Sequence, residues 1–207
     1  MWNFKPRETK EFPMDVVTHN KNYIEKYTVE TPLTTEYLIQ NDTFPTLRKL
    51  FNFIPHWIIK ADLLRLLIIY FNGGIYSDVD CFIRKPTTVH GGNDNVILFI
   101  EHVCPNVNML GPRECKNQEN RMRIANYYFG SKVEKHPFFK EVIEECILRL
   151  QRLLIQENNT SLTQQDILWV CGPDVITTVY HRSKHNYNDI FLYDNTYLDH
   201  KCYSSWR

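Results

Sequence analysis

From Trp57 to Asn72 the chain reads WIIKADLLRLLIIYFN, with Ile58, Ala61, Leu64, Ile68 and Phe71 near helical spacing and Leu63, Leu66, Leu67 and Tyr70 widening the apolar stripe. A stripe that wide predicts a helix buried on most of its sides, which the rest of the chain must cover. Gly73-Gly74 ends it, because glycine readily adopts the left-handed backbone that carries a chain out of a helix. Ile75 to Asp78 then reads as a short strand, Cys81 to Arg84 as its continuation past a kink, and Lys85-Pro86 as its stop. A buried helix feeding a strand in this way predicts an α/β fold.

The remaining segments fit one such domain. At 207 residues the chain can bury a substantial core, and nothing in it demands a second domain. Asn95 to His102 (NVILFIEH) is a continuous apolar run of strand length, expected to be buried and to pair near the first strand. Phe138 to Gln156 repeats apolar residues at three and four, with Pro137 suited to its first turn. A short helix is expected over Phe44 to Phe53, another near Thr34 to Gln40 capped by Thr34 or Thr35, and a short strand over Met14 to Thr18. Asn106 to Glu119 reads as a loop, and order resumes over Arg121 to Phe129. A turn at Gly172-Pro173 precedes a further short helix, and Phe191 to Tyr193 is the last strand.

Charge excludes some functions. Lysine plus arginine equals aspartate plus glutamate, so the chain lacks the basic footprint of unspecific nucleic-acid binding. The longest apolar run, Leu63 to Phe71, contains Arg65, and no window approaches the ~20 apolar residues that span a bilayer. No integral membrane segment or signal peptide is visible, which makes a cytoplasmic location the default. Six widely spaced cysteines, without the close pairs of a zinc knuckle, read as free thiols.

Two groups of residues carry chemistry. Asp62 and Arg65 are three apart on the predicted helix and project from one face; they form an intrahelical ion pair or reach a common ligand. Charges inside so apolar a segment are costly unless paired or used. Asp78 and Asp80 end the strand after the glycines. Alternate residues of a regular strand point the same way, so both carboxylates can converge on one hard cation, and such an ion can bridge a diphosphate. Aspartates also end strands in plain turns, and a bare DxD is weak. Metal-dependent phosphoryl transfer of the haloacid-dehalogenase type also places DxD after an apolar strand, although Asp80 is here followed by Cys81-Phe82.

The joined run, Ala61-Asp62-Leu63-Leu64-Arg65 followed by Tyr70-Phe71-Asn72-Gly73-Gly74-Ile75-Tyr76-Ser77-Asp78-Val79-Asp80, resembles the signature of glycosyltransferase family 32, the DXD-motif sugar transferases. That family includes the yeast initiating mannosyltransferase and is related to the catalytic domains of the large clostridial glucosylating toxins. Asn126 to Lys132 with His136-Pro137-Phe138-Phe139, then Cys171-Gly172-Pro173, then His200 with Ser204-Ser205-Trp206, are similar to its later motifs. The resemblance runs from residue 44 to residue 206, leaving 1–43 as a divergent part of a single domain.

The resemblance implies a GT-A type α/β fold and a retaining, metal-dependent transfer of a hexose. The donor would be a nucleotide-sugar, and the acceptor a hydroxyl on a carbohydrate, lipid or protein. It implies Mn²⁺ or Mg²⁺ as cofactor. Asp62 and Arg65 would contact the donor sugar, Asp78 the ribose and sugar side, and Asp80 the metal, with Asp78 and His200 as further ligands. Asn126 would lie on the donor side, and Ser204 and Trp206 would close over the diphosphate. The family opens on a strand carrying nucleotide contacts. Here the chain starts as though Trp2 ended that motif, so the first strand is expected to be missing or shortened. A catalytically degenerate binding or regulatory domain is the alternative.

Overall fold

The computed structural model of the chain describes residues 14–24, 26, 28, 30, 35–87, 94–113, 116–157 and 161–201. It begins with helix α1 (Met14–Asn20), where the Val16-Val17 pair suggested a strand. Tertiary contacts override the β-branched residues here. Val16 and Asn20, four apart on one helical face, are both buried. The expected helix near Thr35 is a 3₁₀ turn, Glu36–Gln40, and Thr35 makes no side-chain cap; Thr34 lies outside the described residues. Helix α2 (Pro45–Phe51) has Pro45 in its first turn.

Helix α3 (Trp57–Asn72) has the predicted bounds; Asp62 and Arg65 are buried with Ala61, Leu63, Leu64, Leu66, Leu67 and Tyr70 of the apolar stripe, whereas Ile58, Ile68 and Phe71 are only partly buried. Gly73 and Gly74 both take positive φ, 64° and 84°, as the exit from the helix requires. Strand β1 (Gly74–Ser77) follows and stops before Asp78. Strand β2 (Cys81–Ile83) does not continue β1. It belongs to a separate two-stranded sheet with β7 (Leu198–His200), in the antiparallel register Cys81↔His200. Residues 78–80 are therefore a turn between two sheets, closed by the Cys81 N–H donating to the Asp78 carbonyl at 3.2 Å.

In the larger sheet β3 (Val96–Val103) is the hub. It runs antiparallel to β4 (Met122–Ile124) and β5 (Tyr128–Ser131) and parallel to β6 (Ile190–Tyr193), while β5 pairs antiparallel with β1. One strand, β5, thus separates β3 from β1. The apolar run of β3 serves two cores, as a strand buried on both faces must. Val96 and Leu98 join the helical core, whereas Ile97 and Phe99 pack with Cys81, Ile83, Tyr127, Tyr128 and Leu198 against the small sheet.

The helical layer is completed by α4 (Pro137–Gln151), α5 (Gln164–Val170) and α6 (Pro173–Ser183). The last turn expected of α4 is a π turn, Arg152–Gln156. His136 caps α4 by accepting the Phe138 N–H on Nδ1 at 3.2 Å, and Thr163 and Asp166 form a reciprocal capping box on α5. The result is a mixed α/β architecture, as expected. Among the described residues no helix is long and apolar enough to cross a membrane, and Cys81, Cys104, Cys146 and Cys171 are buried and unbridged.

Side chains satisfy exposed backbone at strand edges. The Asn20 amide donates to the Cys81 carbonyl at 2.8 Å and accepts from the Ile83 N–H at 2.9 Å, taking the place of a neighbouring strand along β2. On β4, Thr177 Oγ1 of α6 accepts from the Ile124 N–H at 2.9 Å, and His181 Nε2 donates to the Met122 carbonyl at 2.8 Å. The turn carrying the two aspartates is thus braced through β2.

Candidate functional site

Asp62 and Arg65 lie on the same face of α3 and pair at 3.0 Å between Oδ1 and Nη2, with both side chains almost wholly buried. The pair is not closed on itself. Arg65 Nη1 also reaches Asp78 Oδ1 at 3.2 Å and donates to the Asn126 carbonyl at 2.8 Å, and the guanidinium lies 4.8 Å from the centre of the Tyr76 ring. The Asn126 amide approaches Asp62 Oδ1 at 3.5 Å, the outer limit of a hydrogen bond. The Asp62–Arg65 spacing therefore makes an ion pair, and the pair is turned toward the aspartate turn.

One cation shared among carboxylates sets the electrostatics. Burial, only partly offset by Arg65 and reinforced by Asp78, pushes the Asp62 carboxyl up to about 7. Burial works against the Arg65 charge, but Asp78, Asp62 and Asp80 outweigh it and hold the guanidinium protonated. Burial likewise raises the Tyr76 phenol well above its usual range, so it stays protonated and donates to Asp78 Oδ1 in a short hydrogen bond. Arg65 Nε is buried without a hydrogen-bond partner among the described residues. An orphaned buried donor costs on the order of 1–3 kcal/mol until an acceptor arrives.

Asp80 stands on the other side of the turn. Its Oδ1 lies 3.2 Å from His200 Nε2 at the end of β7. Asp78, Asp80 and His200 each present one ligand atom, all within 4.8 Å of one another, and all three side chains are partly exposed. Burial opposes charge on His200, but the hydrogen bond to Asp80 and the charges of Asp80, Asp78 and Glu101 raise its pKa. Two carboxylates and an imidazole suit a divalent cation of the Mn²⁺ or Mg²⁺ kind, with oxygen as the majority ligand.

The carboxylates converge for a reason other than the one expected. They do not alternate along a regular strand, because β1 ends at Ser77; the tight turn between the sheets brings them together. The sequence-predicted residues Asp62, Arg65, Asp78, Asp80, Asn126 and His200 fall in this one region. Trp2, Ser204 and Trp206, and with them the question of the first strand, lie outside the described residues. Two residues were missed. Tyr76 carried a usable signal, being two before Asp78 on one face of the strand expected there. Tyr127, whose ring stacks on His200 with centroids 3.9 Å apart, carried none.

Residues 8–99 match the family model described as the glycosyltransferase sugar-binding region containing DXD motif. The likeness anticipated from the run Ala61 to Asp80 is thereby borne out. A 90-residue stretch is 31% identical to the initiation-specific alpha-1,6-mannosyltransferase of Saccharomyces cerevisiae, covering 38% of this chain and 18% of that protein. The Candida albicans protein of the same name is 37% identical over 54 residues, covering 26% of this chain and 14% of its own length. The matched stretches thus span less than a fifth of these relatives. Among solved structures, the PaToxG glycosyltransferase aligns over 72% of this chain and 42% of its own, at 17% identity and a TM-score of 0.43.

Proposed function

We propose that this chain is a single-domain retaining glycosyltransferase of GT-A type that moves a hexose from a nucleotide-sugar to an acceptor hydroxyl on a glycan, lipid or protein. The observation that carries the reading is the continuity of the DXD turn with the Asp62–Arg65 pair. Asp78 is tied to Arg65 at 3.2 Å, and it also belongs to the Asp78–Asp80–His200 cluster. Sugar-facing and diphosphate-facing groups therefore share one residue.

Asp78, Asp80 and His200 would hold Mn²⁺ or Mg²⁺. A bound divalent cation supplies Lewis-acid charge toward the diphosphate leaving group. Arg65, held cationic among carboxylates, adds fixed positive charge beside it, and its unpartnered Nε offers a donor to a sugar or phosphate oxygen. Asp62 and the Asn126 amide would orient the sugar hydroxyls. Ser204 and Trp206, shortly after His200 in the chain, would close over the diphosphate, and Trp2 would serve the nucleotide.

In the transfer the acceptor oxygen forms the new bond to the anomeric carbon as the bond to the diphosphate oxygen breaks, and the acceptor proton passes to that departing oxygen. Asp62 is enclosed against Arg65, which favours front-face transfer over a covalent glycosyl-enzyme. The decisive experiment incubates the protein with Mn²⁺ and a panel of UDP- and GDP-hexoses. Thermal protection and slow donor hydrolysis by at least one donor are expected. Asp80→Asn should abolish the metal dependence of that hydrolysis, while Lys140→Ala on the exposed face of α4 should not. If no donor either protects or hydrolyses, the enzyme reading fails in favour of a binding domain.

A further inference from the structure

His200 ends a three-residue strand in a two-stranded sheet, and such a sheet is marginal unless it packs on something else. The sheet packs on a core that includes Ile97, Phe99 and Tyr128, and the His200 ring packs on Tyr127. The two rings stack nearly parallel, with centroids 3.9 Å apart and planes inclined by 21°, and Tyr127 is 7% exposed. Tyr127 sits in the short gap between β4 and β5, so it belongs to the large sheet, whereas His200 belongs to the small one.

The backbone of Tyr127 is engaged as well. Its carbonyl accepts the Asp78 N–H at 2.8 Å, extending the β1–β5 ladder one step past the Ser77↔Tyr128 pair. One residue therefore fixes the main chain of one candidate ligand and the ring of another. Asp80, the third, is tied to the tail by the Lys201 N–H donating to its carbonyl at 3.0 Å. With the imidazole plane set by the stack, Nε2 meets the Asp80 carboxylate instead of swinging about the side-chain torsions.

We infer that Tyr127 is a positioning residue whose ring presents His200 Nε2 to the two aspartates, and so sets the affinity of the site for a divalent cation. The inference rests on the metal reading proposed above. Outer partners of metal ligands commonly contribute through ligand orientation in this way.

The test is Mn²⁺ uptake, followed by electron paramagnetic resonance of the free ion, with no donor or acceptor present. Tyr127→Phe, which keeps the ring, should bind within about twofold of wild type, and Tyr127→Leu about tenfold more weakly. In a His200→Ala background, Tyr127→Leu should add no further loss, because the ring acts through the imidazole. Equal binding by wild type and Tyr127→Leu overturns the inference. So does an undiminished effect in the His200→Ala background, or a loss in Tyr127→Phe as large as in Tyr127→Leu.

Should Tyr127→Leu not fold, proton spectra of metal-free wild type decide. The His200 ring resonances, assigned by their loss in His200→Ala, should lie upfield under the Tyr127 ring current, and unshifted resonances overturn the stack. Wild-type protein that takes up no Mn²⁺ overturns the metal reading itself, and this inference with it. That outcome is distinct from one in which Mn²⁺ binds and Tyr127 proves irrelevant.

Discussion

The two halves of the site are built on opposite terms. Asp62 and Arg65 lie on a sixteen-residue helix, with only 6% and 5% of their side chains exposed, and are tied to Asp78, Tyr76 and Asn126. Asp80 and His200 lie in a turn and on a three-residue strand, with 14% and 18% of their side chains exposed; they pair with each other, and the His200 ring stacks on Tyr127. Breaking a buried pair leaves an uncompensated charge, so the first half is committed to one arrangement. On the metal reading proposed above, the second half would exchange its own ion pair for a cation. The helix side is accordingly a scaffold and the tail side an exchangeable clamp.

The largest effect should come from breaking the scaffold. Arg65→Met leaves Asp62 and Asp78 facing each other without their shared cation, and we expect a loss of about 3–5 kcal/mol in urea unfolding, in the range for a broken buried ion pair. A loss under about 1 kcal/mol, the usual size for a surface pair, would show that the helix side is no more committed than the tail side. Next is the pH response of Asp62. Its folded pKa of about 7 lies above its ordinary value of 3.8, so between these the folded state binds a proton that the unfolded state does not. Stability should therefore fall as pH rises through that window, with a contribution of up to about 1.4 kcal/mol per pH unit. Asp62→Asn, which cannot ionise, should flatten the urea midpoint between pH 4 and 7. An unchanged slope in that variant would mean that Arg65 keeps Asp62 ionised throughout.

The scaffold half was legible in the sequence because its order is local. Periodicity and the Gly73-Gly74 break located α3 to the residue, and the three-residue spacing put Asp62 and Arg65 together. The clamp half was legible in its residues but not in its construction. Asp78 and Asp80 were expected on a regular strand, and β2 was expected to prolong β1, because a strand's partner is not written in its own pattern. β2 pairs instead with residues near the far end of the chain, a strand too short to show any alternation. The same limit hid the stack of Tyr127 on His200 and the Asn20 amide that flanks β2. At α1 the fault was different: two adjacent valines outweighed a helical face only two residues deep, Val16 and Asn20.

His200→Ala should affect the two halves unequally. The pair of His200 with Asp80 is still reached by solvent, at 18% and 14% side-chain exposure, so we expect unfolding to change by less than in Arg65→Met, about 1 kcal/mol. Mn²⁺ affinity should fall about tenfold or more with the loss of the single nitrogen ligand. Isothermal titration alongside urea unfolding measures both. A large stability loss with unchanged Mn²⁺ binding would invert the comparison, making His200 a strut and leaving the cation to the aspartates.

The smallest effect is expected where the halves join. Tyr76→Phe keeps the ring under Arg65 and removes only the O–H that donates to Asp78 Oδ1. That oxygen retains Arg65 Nη1 at 3.2 Å, so the carboxylate is not stranded, and the expected loss in urea unfolding is about 1 kcal/mol. Its direction on the metal is opposite. A carboxylate relieved of one donor has more charge to offer a cation, so Mn²⁺ should bind as well as or slightly better than in wild type. Weaker Mn²⁺ binding would show instead that the phenol orients Asp78 for the clamp, and that the scaffold sets the ligand geometry as well as the fold.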